Sequence, residues 1–486
     1  MPTTSANLAE RLSSVIDATR VRSDAATLSE YAVDDVTPSV MVKPASAAEA
    51  AEIVRFAIAE KLAVIPVGSR SKLGIGMPPA RYDIAMDMTA MNQIAHYDPG
   101  DLTLSVDAGL TLAQLNSALA LHRQFLPLLL PFYSVSTIGG AIASGLDSPL
   151  RQAYGTARDF LVGAEFIDGA GAQCKSGGRV VKNVTGYDLH KVLIGSLGTL
   201  AIITRLNFRT FPLPQASRGF VAAFPGAEGA LALRRKIAVS PLSPLTLDVL
   251  NPQLAQIFAA QTPSGPEPSI FADVGASGEA ASAARASLPL PADWFNPQAW
   301  QLCAAFAGSP EVLNRYAGDL DALAHSLPSE LRPTSTIFLD DTTRPAIWGR
   351  LREALPLLLD SSRAATILRL SALPEAHGTF VEALRQIADR SNVSYALIAR
   401  ATGSIYCALL PDGGDEQILS ELGETVDAIF TFCARQSATA FMLFAPAPLK
   451  RLVSIFGPPR PDLSAMRRVK FAFDPHNVFA PGRMFQ

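Results

Sequence analysis

The stretch PVGSRSKLGIG, residues 66–76, puts Gly68, Gly74 and Gly76 around two serines, Ser69 and Ser71, and two cations, Arg70 and Lys72, directly after an apolar run. Without Cβ atoms a loop can bring its N–H groups up to phosphate oxygens, and the hydroxyls add further donors. Gly68, Gly74 and Gly76 with Ser69 and Ser71 therefore fit a loop wrapped around a diphosphate, with Arg70 or Lys72 offsetting its charge. A plain exposed turn would read the same way. The loop lacks the Gly-Lys-Ser/Thr ending of a nucleoside-triphosphate loop, so magnesium-dependent phosphoryl transfer has no support.

A second constellation, YSVSTIGGAIASG at residues 133–145, sets Ser136, Thr137, Ile138, Gly139 and Gly140 at an expected helix start, with Ser144 and Gly145 closing it. Free amides at a helix start receive anions, although small residues equally permit close helix packing. Two anion-competent loops in one region favour a dinucleotide. The third constellation, residues 177–208, crowds Lys182, Asn183, Thr185, Tyr187 and Asp188 ahead of a very apolar strand. Either these residues carry chemistry, or Asn183 caps a turn, Tyr187 seals the core and Asp188 pairs with Lys182 or Lys191.

The elements needed to hold these loops are legible in order. Residues 39–42 read as a strand, Ser46 with Glu49 as a helix cap, and residues 62–67 as the strand that delivers the glycine loop. IAMDM and LTLSVDAG read as short strands around an Asp98-Pro99-Gly100-Asp101 turn, Thr111 as the cap of the next helix, and RDFLVGAEFIDGAG as a strand and hairpin. From residue 215 the pattern becomes strand, helix, strand, with further strands separated by helices, which predicts an α+β domain on a mainly antiparallel sheet. The predicted organisation is an N-terminal helical segment over 1–34, a first domain over 35–214, a second over 215–440 with a flexible Ala/Pro-rich insertion near 263–291, and a C-terminal segment over 441–486 that packs back.

The whole-chain figures set limits. With 486 residues, 49% hydrophobic and 17% charged, the chain has material for two or three packed domains and does not read as disordered. Its net charge of −3, from 41 basic and 44 acidic residues, argues against a nucleic-acid surface. The cysteines Cys174, Cys303, Cys407 and Cys433 are isolated, so the chain alone cannot hold an iron–sulfur cluster, and scattered histidines leave a private metal site unsupported. No secretion signal or convincing membrane span is read, and a cytoplasmic protein is expected.

The three constellations resemble the FAD-binding domain of the vanillyl-alcohol-oxidase, or p-cresol-methylhydroxylase-type (PCMH-type), superfamily. Within it, RVVKNVTGYDLHKVLIGSLGTLAIITRLNFRTFPLP and the closing FDPHNVFAPGRMF are most similar to the FAD-binding subunits of bacterial glycolate oxidases. The strong likeness covers about residues 40–214 and 473–485; between them only LRLSALP, residues 368–374, is similar. The resemblance implies an α+β fold, a two-subdomain FAD-binding domain followed by a cap or substrate domain. It implies a pyrophosphate loop at Pro66, Val67, Gly68, Ser69, Arg70 and Ser71, and a second cofactor-cradling segment at Ser136, Thr137, Ile138, Gly139 and Gly140 with Ser144 and Gly145. It adds Gly155, Arg158, Gly186, Gly198 and Ile203 to the cofactor-binding set. Where some relatives attach FAD through a histidine this chain has Ser69-Arg70-Ser71, so FAD is expected to be noncovalent. Leu197 replaces the acid of the common Gly-Ser-Glu-Gly-Thr-Leu-Gly segment.

The histidine-rich substrate segment of catalytic relatives is missing, and His377 in LPEAHGTF does not match it. Lys182, Tyr187 and Arg369 are the pocket candidates, with the base unassigned; His190 and His476 read as structural. The leading expectation is an FAD subunit of a glycolate-oxidase-like complex that oxidises a 2-hydroxy acid to a 2-oxo acid. Its partners would be a homologous FAD subunit and an iron–sulfur subunit, which would bring it to the inner face of the membrane. The alternatives are a stand-alone FAD-dependent hydroxy-acid dehydrogenase and a noncatalytic assembly subunit that keeps the flavin fold.

Overall fold

The computed structural model describes residues 5–179, 186–261, 290, 295–339 and 344–484. The predicted insertion near 263–291 falls almost wholly outside them, as does Lys182.

The first sheet carries the glycine loop. Its strand order is Val21–Arg22, Val40–Val42, Ile84–Asp87, Val64–Val67, with the last three parallel and the first antiparallel to its neighbour. Parallel strands bury both faces. Accordingly Val40, Val42, Val64, Ile84 and Met86 lie in one core with Ile53 and Val54 from the helix Ala47–Ala59. Ser46 caps that helix by accepting from the Glu49 amide, as its sequence predicts. The segment 1–34 is not helical throughout: Val21–Arg22 adds an edge strand, and Ala25–Ser29 is a single capped turn of helix.

The second sheet is antiparallel, in the order Ile94–Asp98, Thr103–Asp107, Ile202–Arg209, Leu161–Ile167, Gln173–Gly177. The turn at residues 98–101 joins Ile94–Asp98 to Thr103–Asp107, with Asp98 accepting from the amides of Gly100 and Asp101. The sequence reading placed IAMDM before that turn. Ile94–Asp98 escaped it because none of its residues is fully buried and it carries His96 and Tyr97 in place of an apolar run. Thr111 and Gln114 form a reciprocal capping box on the helix Leu112–Ala120.

The second domain is built on one eight-stranded antiparallel sheet, ordered Ser335–Leu339, Ala216–Phe224, Trp300–Gly308, Pro244–Leu250, Ser394–Arg400, Ser404–Leu410, Thr366–Ser371, Thr439–Phe444. Alternating side chains serve two cores. Phe220, Ala222, Leu302 and Ala304 face the helices Ala227–Ala238, His377–Arg390 and Glu416–Arg435, whereas Val221, Cys303 and Ala305 share a core with the first domain. The Glu416–Arg435 helix buries Leu419, Leu422, Val426, Ile429, Phe430 and Cys433 at three- and four-residue spacing. Burying each such side chain stabilises by up to about 1.5–3 kcal/mol, so a charge at Val426 would undo the packing.

The chain end returns to the first sheet. Val64 donates to the Val478 carbonyl at 2.8 Å, and Ala480 donates to the Val64 carbonyl at 2.9 Å. No helix among the described residues is long and apolar enough to cross a membrane.

Candidate functional site

Beneath the glycine loop lies a cleft of about 810 Å³, counting its open mouth. Pro66, Val67, Gly68, Ser69, Arg70 and Ser71 form one wall. Thr137, Gly139, Gly140 and Ser144 form a second, and Gly198 and Ile203 belong to a third. Residues of all three constellations thus meet, although Gly68 and Gly198 lie far apart in sequence and the polar residues Tyr187 and Asp188 of the third do not line the cleft.

Two glycines explain how the walls approach. A Cβ on Gly68 would stand 2.1 Å from the Thr137 hydroxyl oxygen, and one on Gly139 would stand 2.8 Å from the Ala108 Cβ. Neither distance is tolerated between non-bonded atoms, so a larger residue would force the glycine loop or the short helix Ile138–Ser144 to move.

The donors are arranged differently from the sequence expectation. At the helix start Ile138 donates to Leu110 O, Gly139 to Ala108 O and Gly140 to the Thr137 hydroxyl, so these amides are already engaged. On the glycine loop the amides of Ser69, Arg70 and Ser71 have no acceptor among the described residues. The loop therefore presents the amide donors, and the helix supplies an unobstructed wall.

Other candidates occupy different places. Ser136 is fully buried and accepts from the Lys72 ammonium, and Ile138 packs in the core. Gly145 ends the helix in the left-handed region at φ 60°. Gly155, Arg158 and Gly186 do not line the cleft, and Tyr187 is 90% exposed, so it does not seal the core. Asp188 pairs with Lys191 at 2.7 Å. His190 is buried against the Ser176 hydroxyl, while His476 sits exposed in a turn. His377 is buried with Nδ1 2.7 Å from Arg234, and desolvation followed by that cation pushes its pKa down to about 3, which keeps it neutral.

Sequence reasoning missed Leu197 and Arg483 as lining residues. Leu197, at φ 52°, presents a side chain to the cleft while its amide donates to Ala143 O at 2.8 Å. The backbone path thus survives without the acid. Arg483 donates to the carbonyls of Met77 at 2.9 Å and Leu73 at 2.6 Å, and also to that of Ile75, clasping the descending limb of the glycine loop. Lys450 holds Gly74 O at 2.6 Å and Asp34 at 2.7 Å beside it. Nothing in the local sequence pairs these residues with a loop some 400 positions earlier.

A second cluster begins at Gly145, directly after Ser144. Arg369 donates to Gly145 O at 2.9 Å, Arg400 to Asp147 O at 2.9 Å, and Ser404 to the Asp147 carboxylate at 2.5 Å, which also pairs with Arg151 at 3.0 Å. Burial raises the Asp147 pKa, but Ser404 and the guanidiniums of Arg369, Arg151 and Arg400 outweigh it and leave the group below its usual range. Tyr406 lies under Arg400, whose Nε has no partner. Asp147, Arg400, Tyr406 and Arg352 border a cavity of about 270 Å³. Of the pocket candidates, Arg369 alone stands at this cluster; Lys182 is outside the described residues.

Comparison with known proteins agrees with this geometry. Residues 38–177 match the FAD binding domain family, and residues 213–435 and 459–484 match the C-terminal domain family of FAD linked oxidases. Glycolate oxidase subunit GlcE of Escherichia coli (strain K12) is 35% identical over 189 residues, 39% of this chain and half the length of that subunit. Glycolate oxidase subunit GlcD of Bacillus subtilis (strain 168) is 24% identical over 455 residues, 92% of this chain and 89% of that one. D-2-hydroxyglutarate dehydrogenase of Xanthomonas citri pv. viticola is 26% identical over 354 residues, 68% of this chain and 75% of that enzyme. Among solved structures, 4-ethylphenol oxidase from Gulosibacter chungangensis superposes with a TM-score of 0.73 at 16% identity, covering 100% of this chain and 98% of that one. p-Cresol methylhydroxylase gives 0.73 at 15%, covering 99% and 96%. At these identities the structural likeness establishes the fold alone.

Proposed function

The chain belongs to the FAD-linked oxidase family, with a PCMH-type FAD-binding domain, and from that premise we propose that it is an FAD-dependent dehydrogenase of 2-hydroxy acids acting in its own right. The cleft fits the cofactor: the unpaired amides of Ser69, Arg70 and Ser71 suit a diphosphate, and Gly68 and Gly139 leave the walls bare. Among the described residues its lining contains no histidine, cysteine or tyrosine, which supports FAD held noncovalently.

The single observation that carries the substrate reading is the guanidinium cluster at Gly145 and Asp147. Arg369 and Arg400 come from two cap strands and meet the chain just where it leaves the cofactor cleft. Guanidinium pairs recognise carboxylates in a fixed plane, so this corner can orient the acid group of a small 2-hydroxy acid. The Asp147 carbonyl holds Arg400 and the Gly145 carbonyl holds Arg369, while Tyr406 packs under Arg400. Bound FAD supplies the electron-accepting ring; the residues named here bind and orient. Relatives named for D-2-hydroxyglutarate and D-lactate oxidation, and the extended match to GlcD, support this reading.

Anaerobic mixing of the isolated flavoprotein with a panel of 2-hydroxy acids tests it. Loss of the oxidised-flavin absorbance with a 2-hydroxy acid, but not with the matching unsubstituted acid, is expected. Reduction by 4-alkylphenols alone would sink the substrate assignment. The 35% identity to GlcE favours a second reading, a subunit of a glycolate-oxidase-like assembly with a homologous flavoprotein and an iron–sulfur protein. Reduction only after partner addition would select it.

A further inference from the structure

The glycine loop carries two cations, and the structure separates their duties. Arg70 adopts φ 66°, and its guanidinium turns onto the Tyr31 ring, 4.8 Å from the centroid, and pairs with Glu30 at 3.2 Å. Those contacts commit it to the N-terminal segment. Lys72 instead stays at the cleft, donating to Ser136 Oγ at 2.5 Å and Ser71 Oγ at 3.2 Å, with the Phe132 ring 5.9 Å away. Both acceptors are neutral hydroxyls.

The charged groups around Lys72 are few. Glu353, from the cap, is the acid that favours its charge, but that carboxylate already accepts from the amides of Phe132 at 2.6 Å and Tyr133 at 3.1 Å and from Arg352 at 2.8 Å. Arg70 and Arg483 line the same cleft but are committed elsewhere, Arg70 to Tyr31 and Glu30 and Arg483 to the carbonyls of Leu73 and Met77. Burial is the dominant influence and pushes the Lys72 pKa down to about 7. In the cofactor-free protein this ammonium is thus poised to lose its proton near neutrality.

We propose that Lys72 is the charge partner of the bound cofactor's diphosphate and takes up one solvent proton as FAD enters. This rests on the cofactor reading above and adds to it a residue and a proton. The balance is simple: a neutral amine plus one proton becomes an ammonium beside an entering anion, and no bond other than N–H forms.

The test is calorimetry on the flavin-stripped full-length chain, titrated with FAD in two buffers of different ionisation enthalpy. At about pH 8 the wild type should take up close to one proton per FAD, and at about pH 6, where the amine is already charged, close to none. Lys72→Arg should bind FAD within a few-fold of wild type with no uptake, since its charge does not titrate. Lys72→Met should lose about 10- to 100-fold in affinity along with the uptake. Absence of uptake by the wild type at pH 8, or uptake that persists in Lys72→Arg, overturns the proposal while leaving the cofactor assignment standing. Failure of the wild type to bind FAD at all overturns both.

Discussion

The cofactor cleft and the large cap sheet handle polarity in opposite ways. In the cleft, most of the polar wall is backbone and hydroxyl, delivered by runs in which small residues alternate with serine or threonine. In the cap, ionisable side chains are buried between the sheet and its helices. Asp248 and Arg400 on strands and Arg234 on the helix Ala227–Ala238 are each less than a tenth exposed, and the neutral His377 at a helix start is fully covered. The first arrangement needs only a local chain path. The second needs partners from several strands, because an unpaired buried charge costs several kcal/mol. The difference is also one of purpose. An open wall of donors is suited to receiving a large anion, whereas buried guanidiniums bonded to backbone carbonyls and a neutral imidazole are suited to holding a few side chains still.

The sharpest way to break the contrast is to put a side chain where the cleft has none. Gly68→Val would drive its Cβ into the Thr137 hydroxyl, 2.1 Å away, and displace it from its cap on the Gly140 amide. The expected outcome is protein purified without flavin, with FAD affinity lowered by at least about 100-fold, while the cap fold persists. Flavin content per chain and a titration with FAD measure it. Retained flavin at wild-type affinity would show that the loop does not form the wall.

A comparable insult to the junction with the cap, at Asp147, should have the opposite signature. Asp147→Ala leaves Arg151, Arg369 and Arg400 without the carboxylate that offsets them. Breaking such a buried set costs about 3–5 kcal/mol, and the more modest end is expected here because Arg151 is partly solvated. Urea unfolding should show that loss, and KM for a 2-hydroxy acid should rise about 10-fold or more, with most of the bound flavin retained. If flavin were lost as completely as in Gly68→Val, the two regions would be one site and the contrast would fail.

This division also explains what could be read from the chain alone. The glycine loop and Thr137 with Gly139 and Gly140 were legible as short runs of small and hydroxyl-bearing residues, whereas Gly198 and Ile203 were reached only through the resemblance to the PCMH-type FAD-binding domain. Strands 161–167 and 202–209 were legible through β-branched and aromatic residues bounded by turn signals. Asp147, Arg400, Ser404 and Tyr406 were not, since nothing local distinguishes a cap-strand arginine that will meet Asp147 from one that will reach solvent. Arg483 escaped for a similar reason. Tyr187 misled because an aromatic beside polar residues reads as a seal, yet it stands in solvent.

The finest distinction between the regions is a pH dependence confined to the cap. Asp248 is buried in the middle of the sheet, paired across strands with Cys303 and Arg400, and its Oδ2 has no hydrogen-bond partner. Desolvation raises its pKa from 3.8 to about 6, although Arg400 and Arg234 pull the other way. A carboxyl whose folded pKa lies above its unfolded value stabilises the fold while protonated, and that contribution is lost as pH rises through the folded pKa. The wild type should therefore lose about 2 kcal/mol between about pH 4 and pH 7 through this residue. Asp248→Asn, which keeps the shape without the charge, should match wild type near pH 4 and exceed it by about that amount at pH 7.5. Denaturant unfolding across the range measures both curves. Because Asp248 belongs to the cap and does not line the cleft, FAD affinity should follow the same pH profile in the two proteins. A difference between the stability curves that stays flat from pH 4 to 8 would mean that Arg400 and Arg234 fully compensate the buried carboxylate.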